Sequence, residues 1–207
     1  VWLIEWTTIK IFPIENHKFS YEIVKVIFAR SLSRPGFGRN EFFHWLNDSD
    51  SEMNDFMSSD EVIFMNCVDF VYLILFLNNL MSKKAIINLY QKQIKDESNY
   101  YYGFNIDRFN DFDAIKGNPN EKPKPGDLLI GYEKNKPVHI LFLTGRNPTT
   151  GEWKGMGLWN MGTKKLTPSN LELTKLQKDF EQYNERNPLS FKYCSLETAL
   201  DSLTQVD

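Results

Sequence analysis

Residues 66–77 read Asn-Cys-Val-Asp-Phe-Val-Tyr-Leu-Ile-Leu-Phe-Leu and contain the longest apolar run of the chain, from Val68 to Leu77. This run has no glycine or proline and exceeds the length of a typical strand, so it predicts a buried helix that begins near Cys67 and ends near Asn78. Asp69 interrupts the run, which is also too short to cross a bilayer. The stretch therefore predicts a helix in the core of a soluble protein.

The segment that precedes this helix differs in character from the rest of the chain. Alternating residues from Thr7 to Phe12 predict a strand that is stopped by Pro13. A helix is expected after Ser20, which is a favourable N-cap residue. We assign residues 1–60 to a helical and extended N-terminal elaboration and residues 61–207 to the core, within one compact domain overall.

The segment that follows predicts a second helix, a long loop and a set of strands. Ser82 would cap a helix that runs to about Lys95. Residues 99–124 are rich in Tyr, Asn, Asp, Gly and Pro and predict a long loop, in which the three tyrosines at 100–102 either line a cleft or anchor the loop. Further along the chain, strands are expected at 128–132, 138–144, 153–161 and 189–193, and helices after Thr167-Pro168 and after Ser195. Helices followed by a meander of antiparallel strands are typical of the α+β class.

The composition excludes several classes of function. The chain has 24 Lys and Arg against 27 Asp and Glu, a formal net charge of −3, so it offers no broad basic surface for nucleic acid. Two cysteines and three histidines, none of the histidines at ligand spacing from another, do not predict a metal site. We therefore expect a protein without metal or cofactor, and without nucleic-acid or membrane partners.

Cys67 and His139 are the residues best placed to carry chemistry. Cys67 heads the predicted buried helix, where backbone N–H groups and the helix dipole lower the pKa of a thiol. His139 heads a predicted core strand, and an imidazole next to a thiol can take its proton. The two lie 72 positions apart (139 − 67), so only the fold can bring them together. The alternative is that Cys67 is an inert core residue and His139 a structural histidine, which is the commoner situation for each residue alone.

Three blocks resemble NlpC-type papain-fold cysteine peptidases and the related CHAP amidases. Residues 66–71 resemble the Asp-Cys-Ser-Gly-Phe-Val block of the former and the Cys-x-x-Phe/Tyr-Val block of the latter. Residues 124–129, Lys-Pro-Gly-Asp-Leu-Leu, resemble a Pro-Gly-Asp-Leu segment, and residues 138–145, Val-His-Ile-Leu-Phe-Leu-Thr-Gly, resemble a His-Val-Ala-Ile-Tyr-Leu-Gly strand. The blocks follow the family's order and span roughly residues 60 to 162. The chain departs from the family in its Val-Asp after the cysteine and in a longer separation of Cys from His.

This resemblance implies a papain-like fold in which a helix carrying Cys67 packs on an antiparallel sheet. It implies that Cys67 attacks an amide carbonyl, that His139 protonates the leaving amine, and that water or another amine resolves the thioester. The family's third residue lies on the strand after the histidine strand, which points to Asn160, or to Trp159 if the register differs by one residue. The Cys67 backbone N–H and the Asn66 side chain would bind the oxyanion.

Three functions remain open at this point. By resemblance, the first is hydrolysis of bacterial cell-wall peptide, for remodelling or as an antibacterial effector. The second is a toxin-like deamidase, transglutaminase or protease that acts on a host protein, as suggested by the divergent Cys block and by Val1, which we interpret as a processing boundary or the edge of a domain of a longer polypeptide. The third is a non-catalytic binding domain on the same fold. The expected partners are a peptide or protein substrate and an immunity or inhibitor protein, and the place of action is left open between secretion and delivery within a larger polypeptide.

Overall fold

The computed structural model describes residues 11–14, 17–20, 66–95, 101–117, 123–159, 167–184 and 188–205. Near the N terminus, strands β1 (Ile11–Ile14) and β2 (His17–Ser20) form an antiparallel pair in which Pro13 lies opposite Lys18. The prediction that Pro13 stops the strand is therefore wrong. A two-stranded ribbon leaves half of its backbone groups outside the ladder, so it tolerates a residue without an N–H. The helix expected after Ser20 lies outside the described residues.

The predicted buried helix is confirmed as α1 (Cys67–Leu77). Its N-cap is Asn66, whose Oδ1 accepts from the amides of Val68 and Asp69 at 2.9 and 2.8 Å. The Asp69 carboxylate in turn accepts from the Asn66 amide at 2.9 Å, which completes a capping box. The helix ends at Asn78, whose side-chain amide donates to the carbonyl of Ile74 at 2.8 Å. These local bonds fix the start of the helix at the cysteine.

The second predicted helix is confirmed as α2 (Lys83–Lys95), and Ser82 Oγ accepts from the Ala85 amide at 3.1 Å. Its apolar stripe is buried against α1, where the rings of Tyr72 and Tyr90 meet edge to face at 5.5 Å. The tyrosine contact joins the two helices in the same hydrophobic cluster.

The segment predicted as a long loop, residues 99–124, contains regular structure, so that prediction is wrong. It forms a 3-10 helix (Ile106–Arg108), strand β3 (Asn110–Asp111) and helix α3 (Phe112–Gly117). The reason is that aromatic side chains recur every three to five residues and each one is buried. These aromatic anchors are Tyr101, Phe104, Phe109 and Phe112.

The core is a six-stranded antiparallel sheet with the strand order β3-β8-β4-β5-β6-β7. Its remaining strands are β4 (Leu128–Glu133), β5 (Lys136–Arg146), β6 (Trp153–Trp159), β7 (Thr167–Glu172) and β8 (Ser190–Cys194). Strands β4 to β7 form an antiparallel meander, of which β4, β5 and β6 were predicted, and β8 returns to pair with the free side of β4. The α+β class is therefore confirmed, and β4 and β5 are the central strands.

Two local features complete the sheet. The β4–β5 turn consists of Lys134 and Asn135, whose φ values of 46° and 66° are those of a tight hairpin. The predicted start of the next helix at Thr167 and Pro168 is wrong, because these two residues begin the edge strand β7. The helix itself, α4 (Leu173–Asn184), begins only at Leu173. An edge strand accepts a proline because one of its sides needs no ladder bonds.

Helices cover both faces of this sheet. On the α1 face, the rings of Phe70 and Phe142 meet at 6.4 Å, and Ile140 belongs to the same buried cluster. On the α4 face, Leu141 and Leu143 pack with the buried stripe of α4. Helix α5 (Leu196–Thr204), capped by Ser195 as predicted, contributes its buried residues to the α1-face cluster. Within the described segments, no helix has both the length and the apolar character that a membrane crossing requires.

Candidate active site

Cys67 is the first residue of α1, and its backbone amide is directed toward its own sulfur. The neighbouring amides are occupied: those of Val68 and Asp69 donate to Asn66 Oδ1, and that of Phe70 makes the first helical bond, 3.0 Å to the Asn66 carbonyl. The Cys67 N–H instead lies close to Cys67 Sγ, where its dipole lowers the pKa of the thiol. The cap therefore leaves this amide close to the position where a carbonyl attacked by the sulfur would lie.

Two further donors converge on the sulfur of Cys67. One is the backbone N–H of Ile140 on β5, and the other is the hydroxyl of Tyr101. Tyr101 is only 7% exposed and Cys67 is half-buried, so the hydroxyl reaches the sulfur at the edge of the core. Tyr101 is not among the site residues predicted from the sequence. The available signal was the run of three tyrosines, but nothing in the sequence shows which of them turns inward.

The balance of these effects raises the pKa of the Cys67 thiol. Burial is the largest cause, and the nearby charge of Asp69 acts in the same direction. The hydrogen bonds from Ile140, Tyr101 and the Cys67 amide lower the pKa but do not compensate. The expectation that the helix N-terminus makes this thiol acidic is therefore wrong. Moving a thiolate out of water costs more free energy than the hydrogen bonds from these donors recover.

Asp69 is fully buried behind the cysteine. Its carboxylate accepts from the Asn66 amide and, in a short hydrogen bond, from the hydroxyl of Tyr90. This bonding places a negative charge within the first turn of α1, as expected for a favourable charge at a helix start. The hydrogen bonds of this carboxylate complete the helix cap and join α1 to α2. Its negative charge opposes formation of a thiolate at Cys67.

His139 lies on the α4 face of the sheet. It pairs with Gly131 across β4, and side chains alternate along β5, so it shares a face with Leu141 rather than with Ile140. The position of its ring agrees: a Cβ added to Gly157 on β6 would lie 3.2 Å from His139 Nε2 and 3.0 Å from Leu141 Cβ. The imidazole therefore covers Gly157, on the face of the sheet that packs against α4.

The structure does not bring the side chains of Cys67 and His139 together. The sulfur contacts the backbone of Ile140 on the α1 face, whereas the imidazole of the preceding residue points to the α4 face. Burial lowers the pKa of His139 to about 3, so the ring is neutral at physiological pH. The two groups thus flank β5 as a neutral thiol and a neutral imidazole rather than as an ion pair.

Of the other two predicted site residues, Asn66 is described by the structure and Asn160 is not. Asn160 lies outside the described residues, since β6 is described to Trp159. Phe142 lies opposite Met156, and continuing that register by three residues would set Trp159, not Asn160, opposite His139. Asn66 is described, but its Oδ1 is committed to the cap. Its amide nitrogen is thus the part of that side chain that remains to donate to an oxyanion.

Asp127, in the Pro-Gly-Asp block, has a structural role that the sequence did not reveal. Its carboxylate accepts from the Lys124 amide at 2.6 Å, the Tyr193 hydroxyl at 2.7 Å and the Leu196 amide at 2.9 Å. Burial raises the pKa of Asp127, and these three bonds act against that rise. The carboxylate ties the start of β4 to β8 and to the first turn of α5.

Across the described part of the chain, His, Cys, Asp and Glu form no group of three or more that could hold a metal ion. Comparison with protein-family models, with curated proteins and with solved structures finds no match to this chain.

Proposed function

We propose that this chain is a cysteine-dependent hydrolase of papain-like fold that cleaves an amide bond through a thioester at Cys67. The observation that carries the proposal is the convergence of three hydrogen-bond donors on the Cys67 sulfur, at the first residue of a helix packed on an antiparallel sheet. Such donors stabilise the negative charge that the sulfur must carry when it attacks a carbonyl. The order of the Cys, Pro-Gly-Asp and His blocks supports the same class of enzyme.

In the proposed reaction, the sulfur of Cys67 bonds to the carbonyl carbon and the oxyanion is held by the Cys67 N–H and the Asn66 side-chain amide. The C–N bond then breaks, the amine leaves with a proton, and water hydrolyses the thioester. By the resemblance, His139, oriented by Asn160, takes the proton of the Cys67 thiol and passes it to the leaving amine. Because the ring of His139 lies on the α4 face, it must move past the backbone of Ile140 before it can act.

The proposed substrate is a bacterial cell-wall peptide, and this choice of substrate rests on the resemblance alone. The test is to incubate the protein with purified peptidoglycan and to look for released stem-peptide fragments by mass spectrometry. Fragments from the wild type, and none from Cys67→Ala or His139→Ala, would support the proposal. Fragments from a folded Cys67→Ala variant would refute it. A wild type that leaves peptidoglycan intact but deamidates, cross-links or cleaves an added protein would favour the toxin-like alternative instead.

A second candidate function is a non-catalytic binding domain on the same fold. Two observations favour it: burial raises the pKa of the Cys67 thiol, and the imidazole of His139 lies on the opposite face of β5. A thiol-directed probe separates the two candidates. Labelling of Cys67 that is as slow as labelling of the buried Cys194 at neutral pH, together with intact peptidoglycan, would favour binding alone.

A further inference from the structure

We propose that Tyr101, and not His139, is the side chain that governs the charge on the Cys67 sulfur, by donating a hydrogen bond that stabilises the thiolate. The inference deepens the function proposed above and rests on it in one respect, namely that Cys67 is the reacting group. It makes Tyr101 a catalytic residue, because its hydroxyl touches the reacting atom.

The backbone around Tyr101 is held in place by its neighbours. The Tyr101 carbonyl accepts from the Phe104 amide at 3.0 Å, and the ring of Phe104 stacks on that of Tyr72 at 5.7 Å. The Tyr72 hydroxyl donates to the carbonyl of Tyr102 at 3.0 Å. Tyr72 belongs to α1, so the same helix that carries Cys67 also positions Tyr101. These contacts hold the backbone of Tyr101 next to the helix that carries the sulfur.

A phenol is suited to this role. Burial raises the pKa of Tyr101, and the neighbouring sulfur raises it further, so the hydroxyl stays protonated as a donor across the neutral range. The other two donors on the sulfur, the amides of Ile140 and Cys67, belong to the backbone. Tyr101 is thus the group whose substitution can remove one donor and leave the helix and the sheet intact. In a site of low dielectric, each donor to an ionised group is stronger than in water.

The test measures the rate at which iodoacetamide alkylates Cys67 as a function of pH, in a Cys194→Ala background so that one thiol is followed. Tyr101→Phe keeps the ring and removes the donor. We expect the midpoint of its rate profile to rise by about one unit, which is about tenfold less thiolate at any pH below both midpoints. Tyr102→Phe is the matched control at the adjacent position, and its midpoint should equal that of the parent protein. His139→Gln should also leave the midpoint unchanged.

A folded Tyr101→Phe variant with the parental midpoint would overturn the inference, and so would a shift caused by His139→Gln and not by Tyr101→Phe. If Tyr101→Phe does not fold, 3-fluorotyrosine placed at position 101 alone retains the hydroxyl and makes it a stronger donor. The midpoint should then fall, and an unchanged midpoint would overturn the inference. Alkylation needs no peptide substrate, so intact peptidoglycan would refute the proposed hydrolase without affecting this result.

Discussion

His139 should make the protein sensitive to acid. Burial on the α4 face holds its pKa at about 3 in the folded protein, whereas an unfolded chain has an unperturbed imidazole with a pKa near 6.5. Below pH ~6.5 the unfolded state therefore binds a proton that the folded state excludes, so the stability associated with neutral His139 is complete above that pH and declines as the pH falls toward 3. At pH ~4.5 the loss is about 3 kcal/mol, from two pH units at about 1.4 kcal/mol each.

A loss of this size is a large part of the ~5–15 kcal/mol that stabilises a typical domain. The assay is equilibrium unfolding in urea at several pH values, for the wild type and for His139→Gln. Glutamine does not titrate, and the carboxylates contribute to both proteins, so the difference between the two profiles isolates the histidine. The wild type should lose stability relative to the variant as the pH falls from ~6.5 to ~4.5. Parallel profiles, or an imidazole that titrates near its ordinary pKa by NMR, would refute the burial of a neutral ring on the α4 face.

Two pairs of substitutions test contacts that hold the sheet and its neighbouring helices. Gly157→Ala should destabilise the fold by about 1–3 kcal/mol, because its Cβ would lie 3.0 Å from Leu141 Cβ and 3.2 Å from the Ile140 carbonyl oxygen. Gly131→Ala, whose nearest contact would be an ordinary 3.5 Å, is the control, and equal thermal shifts for the two variants would contradict the reasoning. Asp127→Ala should cost roughly 2–4 kcal/mol in urea unfolding, because it leaves the buried Leu196 amide and the partly buried Lys124 amide without their acceptor. Tyr193→Phe removes one bond to the same carboxylate and should cost about 1 kcal/mol; an equal cost for both would show that the amides do not depend on Asp127.

Much of the helical and hairpin structure could be predicted because the deciding interactions are local. The start of α1 follows from Asn66 and Asp69, which form a capping box within four residues. The hairpin of β4 and β5 follows from two apolar runs, 128–132 and 138–144, with a short polar segment between them, and the start of α5 follows from Ser195, whose Oγ accepts from the Thr198 amide at 3.2 Å. In each case the residues that set the start of the helix or the hairpin are close together in the sequence, and tertiary contacts did not change the outcome.

The errors lie where tertiary contacts decide. The residues from Thr167 to Glu172 form an edge strand because β6 provides a partner for them, and their own sequence does not reveal that partner. The segment at 101–117 is ordered by burial of its aromatic side chains beneath distant elements. Local propensity gives only a weak preference at such positions, and packing overrides it.

The face on which His139 lies is the clearest example. His139 pairs with Gly131, but the next pair joins Tyr132 to Pro137, so Val138 is an extra residue in β5. This bulge precedes His139, and from His139 to Leu143 the faces alternate regularly, so His139 lies on the face of Leu141. A one-residue change moves a side chain to the other face of a sheet. Sequence blocks can therefore give the order of a cysteine and a histidine correctly and still leave open whether their side chains meet.

The chemistry of the site follows from how burial and hydrogen bonding act on the sulfur. Burial disfavours the charged thiolate, whereas the donors of Tyr101, Ile140 and Cys67 favour it. Both effects grow as the dielectric falls, and in the present arrangement burial is the larger. Cys67 is thus held as a neutral thiol, and a thiolate forms only when a proton acceptor reaches the sulfur. In the hydrolase proposed above, Tyr101 is a donor and His139 lies across the strand, so the acceptor would arrive with the substrate or through movement of β5. The sulfur would then become charged only in the presence of the amide bond that it attacks.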